Sequence, residues 1–267
     1  MAATQKIYPH LEIDNNKHPN RLLNFPFIGI FIKLVILIPI FIEIGFLGLV
    51  AFFALIINWF VISFTGKYWN AAYDLFLGIM RLSAKMRFYM FGVTDRYPGF
   101  TFTTQGILTL EVAKPEKPNR WLAIPLLGIA IRAILLIPYF IFSDVLNQGA
   151  GFAMFLSWFV ILFKGTLPES FYEFEKDSVR VSLSVSAYLL GLSDEYPSFV
   201  ISMNHQTVKI ALIIIGAILT FFNFFGNLGS IWQSENRIQN ENQKGLYNYG
   251  SQYNYSPKTY NNNYNTY

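Results

Sequence analysis

The chain has 267 residues, of which 53% are hydrophobic and 13% charged, and a net charge of +4. Ordinary soluble domains are roughly 45–50% apolar and about 25% charged, so the balance points to a membrane. Cysteine is absent, which excludes disulfides, thiolate nucleophiles and thiolate metal sites.

The first twenty residues, MAATQKIYPHLEIDNNKHPN, are polar and lack the apolar core of a signal peptide. Membrane targeting is therefore expected from the first hydrophobic segment. That segment, Phe27 to Phe64, holds only Lys33 and Glu43 as charges. As one helix it would run about 57 Å, against a hydrocarbon core of about 30 Å. It is expected either to fold back as a hairpin or to lie partly in the interface. The hairpin would use a helix over 22–42, a turn near Glu43 to Gly48 and a return to Phe64. In the alternative, the part before Pro39 is interfacial and only the later part crosses.

Charge placement favours hairpins. Their tips carry Glu43 and Asp144 but no Lys or Arg. The basic residues gather in the other connectors: Lys6, Lys17 and Arg21, then eight between Lys67 and Arg120, then Lys164, Lys176, Arg180 and Lys209. The positive-inside rule places all of these in the cytoplasm, with Trp59, Trp69, Trp121 and Trp158 near the interface.

Next, Asn70, Asp74, Arg81 and Lys85 recur at helical spacing, as in an in-plane amphipathic helix on the cytoplasmic surface. The stretch TDRYPGF, Thr94 to Phe100, reads as a turn in which Pro98 forces Tyr97 away from helix and Asp95 caps a backbone N–H. An ion or proton role for Asp95 is the other reading. FTFTTQGILTLEVA, Phe100 to Ala113, reads as strand and resembles Leu11-Glu12-Ile13.

The same order then returns. Leu122 to Phe163 holds only Arg132 and Asp144, with a hairpin turn expected in Ser143 to Gly151. Glu169, Glu173, Lys176 and Arg180 mark a second amphipathic helix. SVRVSLSVSA, Ser178 to Ala187, alternates like a strand, but its counterpart RLSAKMRFYM favours helix. SDEYPSF repeats the turn with Asp194, Tyr196 and Pro197, and VISMN, Val200 to Asn204, offers a third strand piece. Ile210 to Trp232 is uncharged and long enough for a final crossing, a fifth, that leaves the C-terminus outside. Gln233 to Tyr267, rich in Asn, Gln and Tyr, reads as disordered and able to self-associate.

A shift of 99 positions superposes Asn20-Arg21 on Asn119-Arg120, Lys33 on Arg132, Pro39 on Pro138, Gly66 on Gly165 and Asp95 on Asp194 without a gap. This is read as an internal duplication. The fold expected is mainly α and integral to the membrane, with tandem helical-hairpin units, in-plane amphipathic helices, short cytoplasmic strands and one extra C-terminal transmembrane helix. Its parts are 1–104, 105–204, 205–232 and a tail, 233–267. Two crossings per unit make the repeats parallel, about a pseudo-twofold along the membrane normal.

Lys33 and Arg132 are the most informative polar residues, because a basic group at a helix centre costs about 2.5–3.5 kcal/mol on insertion scales. Snorkelling to headgroups offsets that cost, and so does a paired basic site for an anionic lipid or an anion path; Arg81 and Arg180 extend the candidate lipid or anion contact. Gly29 and Gly128 suggest close packing, and Pro39 and Pro138 kinks. His10, His18 and His205 are scattered without metal-ligand spacing, and no nucleotide, metalloprotease or hydrolase motif occurs. The expectation is a non-catalytic accessory or scaffold subunit without cofactor. It would bind anionic headgroups and a protein partner, or self-associate through its tail, with no nucleic acid. The alternative is a small channel or transporter using Lys33 and Arg132.

The recurring N-R-x-L-x-x-P-x-x-G-I-x-I-[KR], L-I-P-x-F, W-F-V-I-x-F-x-G and [TS]-D-x-Y-P-x-F resemble a bacterial membrane family known as domain of unknown function 4389, in two tandem copies over roughly residues 7–204. The resemblance implies tandem hydrophobic units with an aromatic, basic segment after the second helix, and no activity; in the bacterial inner (cytoplasmic) membrane, the charge placement above puts the N-terminus inside. The second copy departs from the family's basic F-T-G-[KR]-Y continuation at Phe163-Lys164-Gly165-Thr166-Leu167-Pro168.

Overall fold

A helix whose apolar side chains face two opposite directions must be covered on both sides, and two such helices organise this chain. The computed structural model describes residues 9–14, 16–100, 108–112, 114–115, 117–125 and 127–252. In order, these form β1 (His10–Ile13), α1 (Ile28–Thr65), α2 (Asn70–Met90), β2 (Leu108–Glu111), a 3-10 turn (Trp121–Ala123), α3 (Leu127–Leu135), α4 (Ile137–Lys164), α5 (Glu169–Leu189) and α6 (Gln206–Gln252). The chain divides into two compact units between Thr220 and Phe221.

The central pair is α2 and α5. On α2, Tyr73 and Arg81 donate to Val112 O and Leu110 O in and just after β2, while Leu82, Met86 and Tyr89 share a buried cluster with Leu37 and Ile40 of α1. At 100° per residue these are opposite sides of one helix. The order of layers is thus sheet, then α2 beside α5, then α1. Helices α2 and α5 are antiparallel: Arg87, late in α2, reaches Glu175 and Ser178, early in α5. Likewise α1 runs antiparallel to α2, with Asn58 accepting from Trp69 N at one end (3.0 Å) and Lys33 donating to Met90 O at the other (3.4 Å).

The sheet is a two-stranded antiparallel pair, with Leu11 opposite Leu110 and Glu12 opposite Thr109. Leucine and isoleucine point into the helix pair; Glu12, Thr109 and Glu111 are exposed. The strand expected over Phe100–Ala113 is formed at 108–111; residues 101–107 and 113 lie outside the described residues.

Several expectations are corrected. Neither long stretch forms a hairpin: α1 runs unbroken through residues 43–48, and Ser143 to Gly151 lies inside α4. The two proposed turns contain glycine but lack partners for the backbone groups a turn would release. Continuing the helix pairs those groups at a cost of about 1 kcal/mol per glycine. Of the two prolines, Pro39 sits inside α1, whereas Pro138 falls in the first turn of α4, after a break at Leu136, where its missing N–H is harmless. Leu136 N to Arg132 O (3.0 Å) and Phe140 N to Leu136 O (2.8 Å) carry the chain through that break.

The amphipathic segments are helical throughout, including Ser178 to Ala187. They are not solvent-laid arms, however, because α1 and the sheet enclose α2 from opposite sides. The third strand piece, Val200 to Asn204, is irregular. Its backbone is taken up by side chains of α5 instead: Asp177 accepts from Met203 N (2.9 Å) and Ser202 Oγ (2.6 Å), and Arg180 donates to Val200 O (2.6 Å). Finally, α6 continues to Gln252, past Gln233 where disorder was expected to begin. A helix already nucleated by an apolar run extends through Gln, Glu, Lys and Arg with little further cost. Residues 253–267 lie outside the described residues.

Candidate functional site

The two Asp-x-Tyr-Pro turns follow α2 and α5 after a left-handed glycine, Gly92 (φ 72°) and Gly191 (φ 75°). In each, the aspartate reaches back to the chain entering the preceding long helix: Asp95 Oδ2 accepts from Asn20 N (2.6 Å) and Asn16 Nδ2 (2.8 Å), and Asp194 Oδ2 accepts from Asn119 N (2.9 Å). Tyr196 Oη donates to Leu135 O (3.0 Å), while the Tyr97 ring stands edge-on to Tyr89 and Phe100. Pro98 and Pro197 are buried. These contacts make each turn a clasp on the start of its own unit.

Under each clasp lies a basic residue. Arg132, 4% exposed, donates to Tyr188 O (2.7 Å), Ser193 O (3.1 Å) and Asp194 Oδ1 (2.5 Å), with its guanidinium 4.8 Å from the centre of the Tyr188 ring. Lys33, 1% exposed, donates to Asn24 Oδ1 (2.8 Å) and lies 5.5 Å from the centre of the Tyr89 ring. Asp95 Oδ1 is buried without a hydrogen-bond partner. Arg81 donates to Leu110 O (3.1 Å) and holds β2, and Arg180 pairs with Asp177 (2.9 Å). The structure does not bring the four cations together into one basic surface; each faces an acceptor inside the chain.

It does bring together a cluster that sequence reasoning missed. Between α2, α4 and α5, Arg87 Nε and Nη2 donate to the two oxygens of Glu175 (2.7 and 3.3 Å), Nη1 to Asn147 Oδ1 (2.7 Å) and Nη2 to Ser178 Oγ (2.9 Å). Ser178 and Ser182 also donate to Asn147 Oδ1 (3.0 and 3.1 Å). Glu175 is 3% exposed. Burial pushes its carboxyl above the usual range, and the Arg87 guanidinium offsets part of that rise.

Between α1, α2 and α5, Gly48, Phe76, Ile79, Ser83 and Ser186 line a cavity of about 330 Å³. These five positions stand 99 residues from Asn147, Glu175, Ser178, Ser182 and Arg87 respectively. Here lay the available signal: the cluster and the cavity use positions 99 residues apart in the sequence, charged and polar in one set and mostly apolar in the other.

Two further contacts are reciprocal across the units. Tyr73 Oη donates to Val112 O (3.0 Å) and Tyr172 Oη to Ile13 O (3.1 Å). A Cβ on Gly66 (φ 67°) would lie 2.5 Å from Arg120 Nη2, and one on Gly165 (φ 72°) would lie 2.6 Å from Arg21 Nη2. Each long helix therefore ends under an arginine of the other unit. Of the histidines, His205 faces Glu173 (3.0 Å) and His10 faces Glu12 (3.2 Å), while His18 donates its backbone N–H to Asn16 Oδ1 (3.3 Å).

Fold and site together define a mainly helical protein with three described helical segments long and apolar enough to cross a membrane: Ile28–Thr65, Ile137–Lys164 and Gln206–Glu241. Residues 127–201, from α3 through the second turn, match a family described as Domain of unknown function (DUF4389). No curated protein and no solved structure matches the chain.

Proposed function

We propose that this is a duplicated, non-catalytic membrane protein, an accessory or scaffold subunit that binds lipid and a protein partner, with its helical layer lying flat in one leaflet. The observation that carries this reading is the order of layers. Among the described residues, a two-stranded sheet bearing Glu12, Thr109 and Glu111 on its outer face covers the middle of α2 and α5, on the side of α2 opposite Leu37 and Ile40 of α1. Were α1 to α5 to cross the membrane, that sheet edge and its carboxylates would face hydrocarbon at mid-depth, where backbone groups find no partners. With the layer flat, the sheet meets water and α1 meets lipid. The exposed Phe31, Ile42, Phe46 and Phe53 suit that placement, as does an α1 about 57 Å long.

The 99-residue correspondences support a duplication about a pseudo-twofold axis, normal to this layer and passing between Leu11 and Leu110. Such an axis makes α2 and α5, and the contacts of Arg21 and Arg120, antiparallel and reciprocal. The exposed cations that support contact with anionic headgroups lie at the two ends of the layer. Lys67 and Arg120 stand beside Phe64 and Trp121, and Arg21 and Lys164 beside Leu22 and Phe163. Cations next to exposed aromatic and aliphatic side chains suit the headgroup boundary. The excess of basic connectors places this face in the cytoplasm, α6 carries the crossing, and its polar continuation from Gln233 is the partner-binding element.

The test uses the absence of cysteine. Arg96→Cys and Glu195→Cys mark the two turns, which lie at opposite ends of the layer because α2 and α5 are antiparallel. An impermeant maleimide is expected to label both from the cytoplasmic side only, together with Thr109→Cys, and to label Gln239→Cys from the other. Arg96→Cys and Glu195→Cys labelling from opposite sides would mean that the layer crosses, and the reading would fall. A partner still captured after deletion of 233–267 would remove the tail from it.

A further inference from the structure

Protein interiors close-pack and keep few voids larger than a water molecule, so a surface-opening pocket of about 330 Å³ at the junction of three helices stands out as space for a ligand. The corresponding junction in the other unit is filled: Asn147, Glu175 and Arg87 stand there, where this one has Gly48, Phe76 and Ser186. We infer that the cavity between α1, α2 and α5 is a binding site for one long alkyl chain of a membrane amphiphile. This rests on the membrane reading above.

Three observations select the chemistry. The walls are apolar, with Ala51, Leu55, Ile79, Met80 and Leu183 among them, and the hydroxyl of Ser186 is turned back onto Ser182 O (3.1 Å), so the walls suit a hydrocarbon and not a headgroup. The volume holds about ten methylene-sized groups, if each takes the ~30 Å³ share of a water molecule in the liquid. One wall of the cavity is α1 itself, through Gly48, Ala51, Phe52 and Leu55, and Gly48 and Phe52 are exposed on the surface that the proposed placement turns to lipid, so an alkyl chain enters from the bilayer without passing through water. Gly48 stands at its wall with nothing within 4 Å of where a Cβ would be, which leaves that approach open.

The chain could belong to a phospholipid or to a free fatty acid, and the experiment separates them. Full-length protein is reconstituted in phosphatidylcholine vesicles containing either a phospholipid with a diazirine in its acyl chain or a free diazirine fatty acid. After photolysis the labelled residues are mapped by peptide mass spectrometry. Labelling is expected at Ile79, Met80 and Leu183 in at least one arm, and the arm names the source. Gly48→Leu, which narrows the approach, and Ala51→Phe, which fills the cavity, should each reduce it several-fold while leaving the outward Phe31 and Phe46 labelled as before. A Cβ at position 48 meets nothing within 4 Å, so Gly48→Leu guards against a fold lost through Ala51→Phe.

Labelling confined to Phe31 and Phe46, or cavity labelling that neither variant reduces, would overturn the site while leaving the membrane reading intact. Absence of label at Phe31 and Phe46 as well would overturn the membrane reading and the site with it.

Discussion

The two basic clasps occupy the same backbone setting and solve it with different side chains. In one, Arg132 passes Ala123 and closes on Asp194. In the other, the position corresponding to Ala123 is Asn24, whose amide oxygen accepts a hydrogen bond from Lys33 and lies against Gly92, and Asp95 keeps one oxygen unpaired. Lysine with asparagine fills about the space of arginine with alanine. A different exchange stands at the helix junctions, where Arg87, Asn147 and Glu175 correspond to Ser186, Gly48 and Phe76 and a filled polar junction answers to a hollow one. The lesson is that the unit of exchange is the whole cluster, because a buried charge without its partners costs more than the pair contributes.

The comparison can be broken most severely at the polar junction. Arg87→Ala leaves Glu175 buried and uncompensated and should cost about 3–5 kcal/mol, read as a lowered unfolding midpoint in a fixed detergent. The triple change Arg87→Ser, Asn147→Gly and Glu175→Phe, which installs the apolar junction's residues, should cost much less. A triple variant as unstable as Arg87→Ala would show that the two junctions are not interchangeable.

Next in size is Arg132→Ala. It removes donors from Tyr188 O, Ser193 O and Asp194, and at about 1.5–3 kcal/mol for a hydrogen bond to a charged group it should still be plainly destabilising. Lys33→Arg should cost about 1–3 kcal/mol through overpacking against Asn24, and adding Asn24→Ala should recover most of it. A double-mutant cycle measures that recovery, and strict additivity would mean that the two clasps do not share one geometry. Smallest are Gly66→Ala and Gly165→Ala, each forcing a side chain into the left-handed region beside an arginine. About 1–2 kcal/mol is expected from the backbone alone, with nearly equal values for the two.

Much of this was legible beforehand, and the parts that were not share a cause. Helical spacing placed α2 and α5, and a run of β-branched and aromatic residues placed β2, since those signals depend only on neighbours along the chain. Asp and Pro chemistry marked the turns as stops with a local cap, but not their reach to Asn20 and Asn119, 75 positions back. The hairpins were misjudged because a length limit and a charge count were applied to crossing helices, and neither says whether a helix lies across a bilayer or along it. Arg87 and Glu175 were passed over because each reads as one more charge on an amphipathic helix; only the antiparallel contact of α2 with α5 makes them a pair.

The sequence by itself determined the apolar segments long enough to cross a membrane, the helical content and the 99-residue spacing of similar residues, all of which are properties of composition and period. Tertiary structure decided which way the second set of elements faces the first, and hence that Arg87 meets Glu175, that each long helix ends beneath the other unit's arginine, and that one junction is polar and the other hollow. Those outcomes depend on residues far apart in the chain, from 54 positions for Gly66 and Arg120 to 144 for Arg21 and Gly165, sharing one packed volume, which no local period encodes.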